Sequence, residues 1–173
     1  MKYMADVESR LKVTFEEPPV TEFVSIETYQ CLKTNTCELK MPRYFKKAAA
    51  AFKTFFPGGM KKRIVPMAVL DEKLVGVVPT EEEISEAKYL PFRQILGVLS
   101  YPASQCHFAM KYSISVLGSR RGGWNKAQFD VLLKVFEYGV TTCEIGVIYS
   151  KGLDPHGDNT LYAYADASLS LPR

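Results

Sequence analysis

The sequence is poor in the residues that build metal centres. Its two histidines, His107 and His156, and four cysteines, Cys31, Cys37, Cys106 and Cys143, form no CxxC pair and show no metal-ligand spacing, which argues against a zinc site. The start, Met1-Lys2-Tyr3-Met4-Ala5-Asp6, lacks the apolar core of a signal peptide, and no apolar run reaches membrane-spanning length. A reducing, soluble compartment with ordinary thiols is therefore expected. Cys31 and Cys37 could face each other across a hairpin, but a disulfide there is the minority reading. Internal repeats and low-complexity stretches are also absent. The formal net charge of +3 is too small to imply nucleic-acid binding by itself. With 47% hydrophobic residues over 173 positions, the chain can bury one real core or two small ones.

The charge that is present is unevenly placed. Residues 42 to 64 hold Arg43, Lys46, Lys47, Lys53, Lys61, Lys62 and Arg63 and no acid, whereas residues 65 to 91 carry six acids against Lys73 and Lys88. Clustered cations are the footprint of a phosphate-binding surface; a solvated helix face with a basic tail is the plain alternative.

Pattern and punctuation divide the chain. Residues 3 to 13 suit a short amphipathic helix, ended by Glu16-Glu17-Pro18-Pro19. Phe23 to Tyr29 alternates as a strand, Lys33 to Thr36 supplies a turn, and Cys37 to Met41 returns, predicting a hairpin. Pro42 suits a first helical position before a helix over Tyr44 to Phe56, closed by Pro57-Gly58-Gly59. Residues 60 to 88 read as a linker, within which Thr80 and Glu83 form a capping-box pair. Two helices follow, one presenting Phe92, Ile95, Leu96 and Leu99, the other Phe108, Tyr112, Val116 and Leu117, with Pro102 as the interruption. Tyr101 and Tyr112 read as core. A third helix, Asn125 to Tyr138, carries the stripe Phe129, Leu132, Leu133 and Phe136, and Gly139 marks its end. Two strands, Ile145 to Tyr149 and Thr160 to Ala165, close the pattern, and the fold class is α+β.

Asp166 falls near the end of the last strand, in Tyr164-Ala165-Asp166-Ala167-Ser168, where a carboxylate can project toward a metal ion. Phosphodiester hydrolysis needs several carboxylates around paired ions, so Asp166 by itself should be inactive. Asp154 and Asp158 read as loop residues. The chain is expected to be a fragment of a larger enzyme, cut within a site.

Three segments in order resemble the reverse transcriptase of copia-type LTR retrotransposons. Phe92-Arg93-Gln94-Ile95-Leu96-Gly97-Val98-Leu99-Ser100-Tyr101-Pro102-Ala103 is similar to that family's (Y/F)R-x-(I/L)-(V/L)-G-x-L-x-Y-x-A segment. Phe129 through Val135-Phe136-Glu137-Tyr138 to Gly146-Val147-Ile148-Tyr149-Ser150-Lys151 resembles its helix and following strand, and Tyr164-Ala165-Asp166-Ala167-Ser168 its Y-S-D-A-(D/S). Upstream, Glu22-Phe23-Val24-Ser25-Ile26-Glu27 and Leu39-Lys40-Met41-Pro42-Arg43-Tyr44 look like the F-L-G-I-E strand and its partner. The sequence departs from the family at Ser104-Gln105-Cys106-His107, where Thr-Arg-Pro-Asp is usual, at Ser25, where glycine is favoured, and at Leu169, where an aromatic is common.

The resemblance implies an organisation. Residues 1–41 would be the end of the palm with the primer-grip hairpin, 42–88 a basic helix and linker, 89–142 a helical thumb and connection, and 143–173 the truncated start of a ribonuclease H domain. The polymerase's paired aspartates would lie upstream, since no Asp-Asp pair occurs here. Phe23, Val24 and Ser25 would pack on the primer's sugar-phosphate, with Arg43, Lys46, Lys47 and Lys53 neutralising phosphate and Arg93, Arg120 and Arg121 touching the template backbone. Trp124 could stack on a base, though packing at its helix start is the plainer reading, and His107 is by default a satisfied structural histidine. Asp166 would be the first magnesium ligand of the complete ribonuclease H site. The implied partners are an RNA/DNA hybrid or primer-template and the rest of the polyprotein, with no membrane, in a cytoplasmic virus-like particle or the nucleus. The alternative is a host-encoded interaction or scaffold protein derived from such an element, without catalysis.

Overall fold

Two glutamates stand opposite each other where the chain first pairs with itself. In the computed structural model, which describes residues 22–31, 33–34, 36–119 and 122–150, strand β1 (Glu22–Phe23) turns directly into β2 (Ile26–Cys31), with Glu22 opposite Glu27 and Phe23 opposite Ile26. The strand expected over Phe23 to Tyr29 is thus broken. Val24 and Ser25 both take positive φ, 49° and 65°, and form the two-residue loop of a tight hairpin. β3 (Thr36–Lys40) pairs with β2, and β4 (Val147–Ser150) pairs antiparallel with β3, giving the sheet order β1-β2-β3-β4. The strand near 147 therefore lies against the hairpin. At Gly146 an added Cβ would collide with the Leu39 carbonyl oxygen, so only glycine lets β4 approach this closely.

Register also decides the cysteine question. Cys31 is opposite Thr36 and Cys37 opposite Gln30, so the two side chains leave opposite faces of the sheet, and both thiols are free.

Six helices complete a mixed α+β fold among the described residues. Helix α1 (Pro42–Ala51) starts with proline as expected and passes into a 3-10 turn over Lys53–Phe55. The stretch read as a linker contains α2 (Val69–Gly76) and α3 (Glu81–Ala87). The latter opens with the expected box: the Thr80 hydroxyl accepts from the Glu83 amide at 3.3 Å, and the Glu83 carboxylate accepts from the Thr80 amide at 2.9 Å.

Helix α4 (Phe92–Gln105) runs straight through Pro102, against expectation. Proline has no N–H to give the Val98 carbonyl one turn back. The Tyr44 hydroxyl donates to that carbonyl instead, at 2.9 Å, so the acceptor that proline leaves open is satisfied. The chain then turns at Cys106 and His107, and α5 (Lys111–Gly118) follows a 3-10 turn over Phe108–Met110. Met110, Ile114 and Leu117 form its buried stripe, while Phe108 and Tyr112 face outward. The buried face is thus rotated from the one that the sequence suggests, and Tyr112 is not core, its hydroxyl reaching the exposed Glu72 carboxylate.

Helix α6 (Lys126–Thr141) is the centre of the molecule. Its buried residues fall on every side, including Phe129, Val131, Leu132, Val135, Phe136 and Tyr138, as in a helix wrapped by its neighbours. It packs against each of the other five helices. Gly139 lies inside it rather than at its end: an added Cβ would meet the Phe45 ring at 2.6 Å and the Met110 sulfur at 2.9 Å. Asn125 caps its start, accepting from the Gln128 amide at 2.9 Å. The Gln128 side-chain amide then donates to the Val77 and Val75 carbonyls at 2.9 and 3.4 Å, satisfying the end of α2.

Candidate nucleic-acid interface

The hairpin tip projects. Phe23 and Val24 are 69% and 60% exposed, unusual for large apolar side chains at the end of a paired strand. Ser25 is half-buried beside them. The Val24 carbonyl accepts from the Tyr101 hydroxyl of α4 at 2.7 Å, so the tip is anchored to the helical layer.

Arg43 stands behind the tip. Its guanidinium lies 2.7 Å from the Glu22 carboxylate and 3.5 Å from that of Glu27, and its backbone amide donates to Glu27 at 3.0 Å. Two carboxylates directly opposite on an antiparallel pair repel, and Arg43 offsets that repulsion. Its position makes it a brace between hairpin and α1, where the sequence alone suggests a phosphate contact. Burial pushes the Glu27 carboxyl up, but hydrogen bonds from Tyr29 and the Arg43 amide, with the charges of Arg43 and Lys46, outweigh it and hold the group below the usual carboxylate range.

Lys46, Lys47 and Lys53 are exposed, and none has an ion-pair partner among the described residues. Lys46 and Lys47 follow Arg43 by three and four positions on α1, so they flank the same edge of the helix. Lys61 and Arg63 do not belong to a loose basic tail. The buried Glu137 carboxylate accepts from the Lys61 amide at 2.9 Å and from the Arg63 guanidinium at 2.8 Å, pinning this segment to α6. Nothing in the periodicity of α6 distinguishes Glu137, because a carboxylate at that spacing also suits a solvent face.

Arg93 lies apart from the tip. It is eight residues before Tyr101 on α4, about 12 Å along the helix axis at ~1.5 Å per residue. Its guanidinium sits 5.7 Å from the centre of the Trp124 ring, which stacks on Phe92 at 4.7 Å. Trp124 thus packs rather than presenting a face for a base. Arg120, Arg121 and Asp166 lie outside the described residues. Among the described residues no three His, Cys, Asp or Glu side chains converge to hold a metal.

His107 is buried at the junction of α4 and the following turn. The Thr142 hydroxyl donates to the Tyr138 carbonyl at 2.7 Å, leaving it able only to accept from His107, at 2.8 Å. The proton therefore sits on Nε2, and Nδ1 is bare, without a partner, beside the Phe45 and Tyr138 rings. Burial lowers the imidazole pKa from its ordinary 6.5, chiefly because a charged ring has no counter-group there. A depressed histidine contributes stability that is complete above about 6.5 and is lost as pH falls through the lower folded value. Melting temperature is expected to drop between pH 7 and pH 5, and His107→Gln is expected to flatten that drop. An unchanged slope in the variant would assign the drop to other groups. Glu27 acts in a separate window, below 4.5.

No protein-family model, curated protein or solved structure matches this chain. No described helix is long and apolar enough to cross a membrane.

Proposed function

We propose that the chain is part of an RNA-directed DNA polymerase and ribonuclease H of the copia retrotransposon kind, and that its described region binds primer-template. The observation that carries this reading is the exposed two-residue tip at Val24–Ser25, tied to α4 by Tyr101 and to α1 through the Arg43–Glu22 pair, with Lys46 and Lys47 exposed on α1. Ser25, where the resembling family favours glycine, takes the positive φ of 65° that glycine adopts without strain. The order of the resembling segments agrees with a hairpin followed by a helical bundle. Binding would be carried by Lys46, Lys47 and Lys53, which contribute affinity without sequence preference. Neither polymerase nor nuclease turnover is expected, because the paired aspartates are absent from this sequence and Asp166 lacks sufficient partners in it.

Filter binding to an RNA/DNA hybrid across a salt series tests the reading. The logarithm of affinity should fall linearly with the logarithm of salt, and replacing the three lysines by alanine should reduce the slope by about 0.9 for each phosphate no longer neutralised. Folded protein with absent or salt-independent binding would count against it.

A second reading, the non-catalytic interaction protein, draws on a different surface. Helix α2 and its flanks expose aliphatic side chains that a lone soluble surface would not need: Ile64 is 91% exposed, Leu70 73% and Val78 79%. Protein partners lost on Leu70→Asp, together with no hybrid binding, would favour this reading over the first.

A further inference from the structure

The tip is held in a conformation that its own residues disfavour. A two-residue hairpin with both central φ positive is the province of Asn-Gly, and a β-branched residue such as Val24 is an outlier there. Val24 and Ser25 nevertheless adopt φ of 49° and 65°. Such backbone persists only where surrounding contacts over-determine it.

Besides the Arg43 brace on Glu22 and Glu27, a pair of tyrosines links the tip to the helices. Tyr101 donates its hydroxyl to the Val24 carbonyl at 2.7 Å. Its neighbour Pro102 leaves the Val98 carbonyl without a helical donor, and Tyr44 takes that place at 2.9 Å. The two rings lie 5.7 Å apart, centre to centre. Tyr44 stands three residues after Met41, the buried residue just before α1, so the proline in α4 recruits α1 and the tyrosine before it recruits the hairpin. The Tyr101 hydroxyl thus ties the tip to α4 at the turn where Tyr44 ties α4 to α1.

We propose that Tyr101 is the positioning residue of the β1–β2 tip, setting Phe23 and Val24 relative to the lysines of α1. The inference rests on the reading of that tip as a primer-template contact. Tyr101 itself need not touch nucleic acid.

The test compares the whole chain with Tyr101→Phe, and with Tyr101→Phe combined with Val24→Asn and Ser25→Gly, the pair that takes both positive φ values readily. Losing one hydrogen bond should weaken hybrid binding about threefold to tenfold, while the salt slope stays unchanged because the lysines are untouched. The turn substitutions are read by amide exchange rather than affinity, because Val24 and Ser25 belong to the proposed contact. Wild-type affinity in Tyr101→Phe would overturn the proposal. Amide exchange at Val24, Ser25 and Ile26 separates this outcome from failure of the functional reading. Faster exchange in Tyr101→Phe, slowed again by the turn pair, supports the positioning role even if no hybrid binds, and unchanged exchange overturns it.

Discussion

Phe136→Ala is expected to cost about 3–5 kcal/mol, the range for emptying a large aromatic site in a core that collapses only partly. Phe136 is fully buried on α6, stacked on Phe56 at 5.5 Å and met edge-on by Phe52 at 5.8 Å. All three rings belong to the junction between the end of α1 and the central helix. Removing the middle one leaves the other two without their principal aromatic partner, so the ring–ring attraction disappears along with the transfer term. Small domains are stable by about 5–15 kcal/mol, so this one change removes about a fifth or more of that margin. Urea unfolding should show a lower midpoint at unchanged slope. A loss below about 1 kcal/mol would mean that the three rings are not packed as described.

Glu137→Ala is the second large effect. Its carboxylate receives the Lys61 amide at 2.9 Å and the Arg63 guanidinium at 2.8 Å, while the residue is 6% exposed. Truncation leaves a donor pair facing an apolar helix, and hydrogen bonds to a charged group are worth about 1.5–3 kcal/mol each. A loss of about 3 kcal/mol is expected for alanine. Glu137→Gln retains an acceptor for Lys61 and should lose roughly 1 kcal/mol. The local consequence is distinct from the global one. Freed from α6, the Lys61-Lys62-Arg63 segment should be cleaved by trypsin faster than in wild type, since local opening governs access of the protease. Equal cleavage rates in wild type and Glu137→Ala would sink the pinned-segment account.

Pro102 and Gly139 show where sequence logic reaches its limit. Local rules predict that each ends or interrupts a helix, yet each lies inside one. Proline withholds a donor, and glycine favours helix ends. Both rules still operate, but distant residues answer them. Tyr44, 54 positions before Val98, supplies the missing donor, and Phe45 with Met110 occupies the space that any side chain at Gly139 would need. The split of the first strand at Val24 and Ser25 has the same origin, since alternation carries no record of φ. The basic cluster divides for a related reason. Lys46, Lys47 and Lys53 remain exposed, whereas Arg43 and Arg63 are matched by Glu22, Glu27 and Glu137, carboxylates remote in sequence.

By itself the sequence determined the α+β class, the start of α1 at Pro42, the capping box at Thr80, the beginning of α6 near Asn125 and most of that helix's apolar stripe. These depend on residues within a few positions of one another, where period, caps and turn chemistry act directly. Only the tertiary structure decided that β4 lies against the hairpin, that α4 passes through its proline, and that the tip at Val24–Ser25 is strained, outward and tied to Tyr101. Those features depend on hydrogen bonds and close contacts between residues tens of positions apart. Such pairings are set by the energy of the whole packed chain, to which no single segment holds the key.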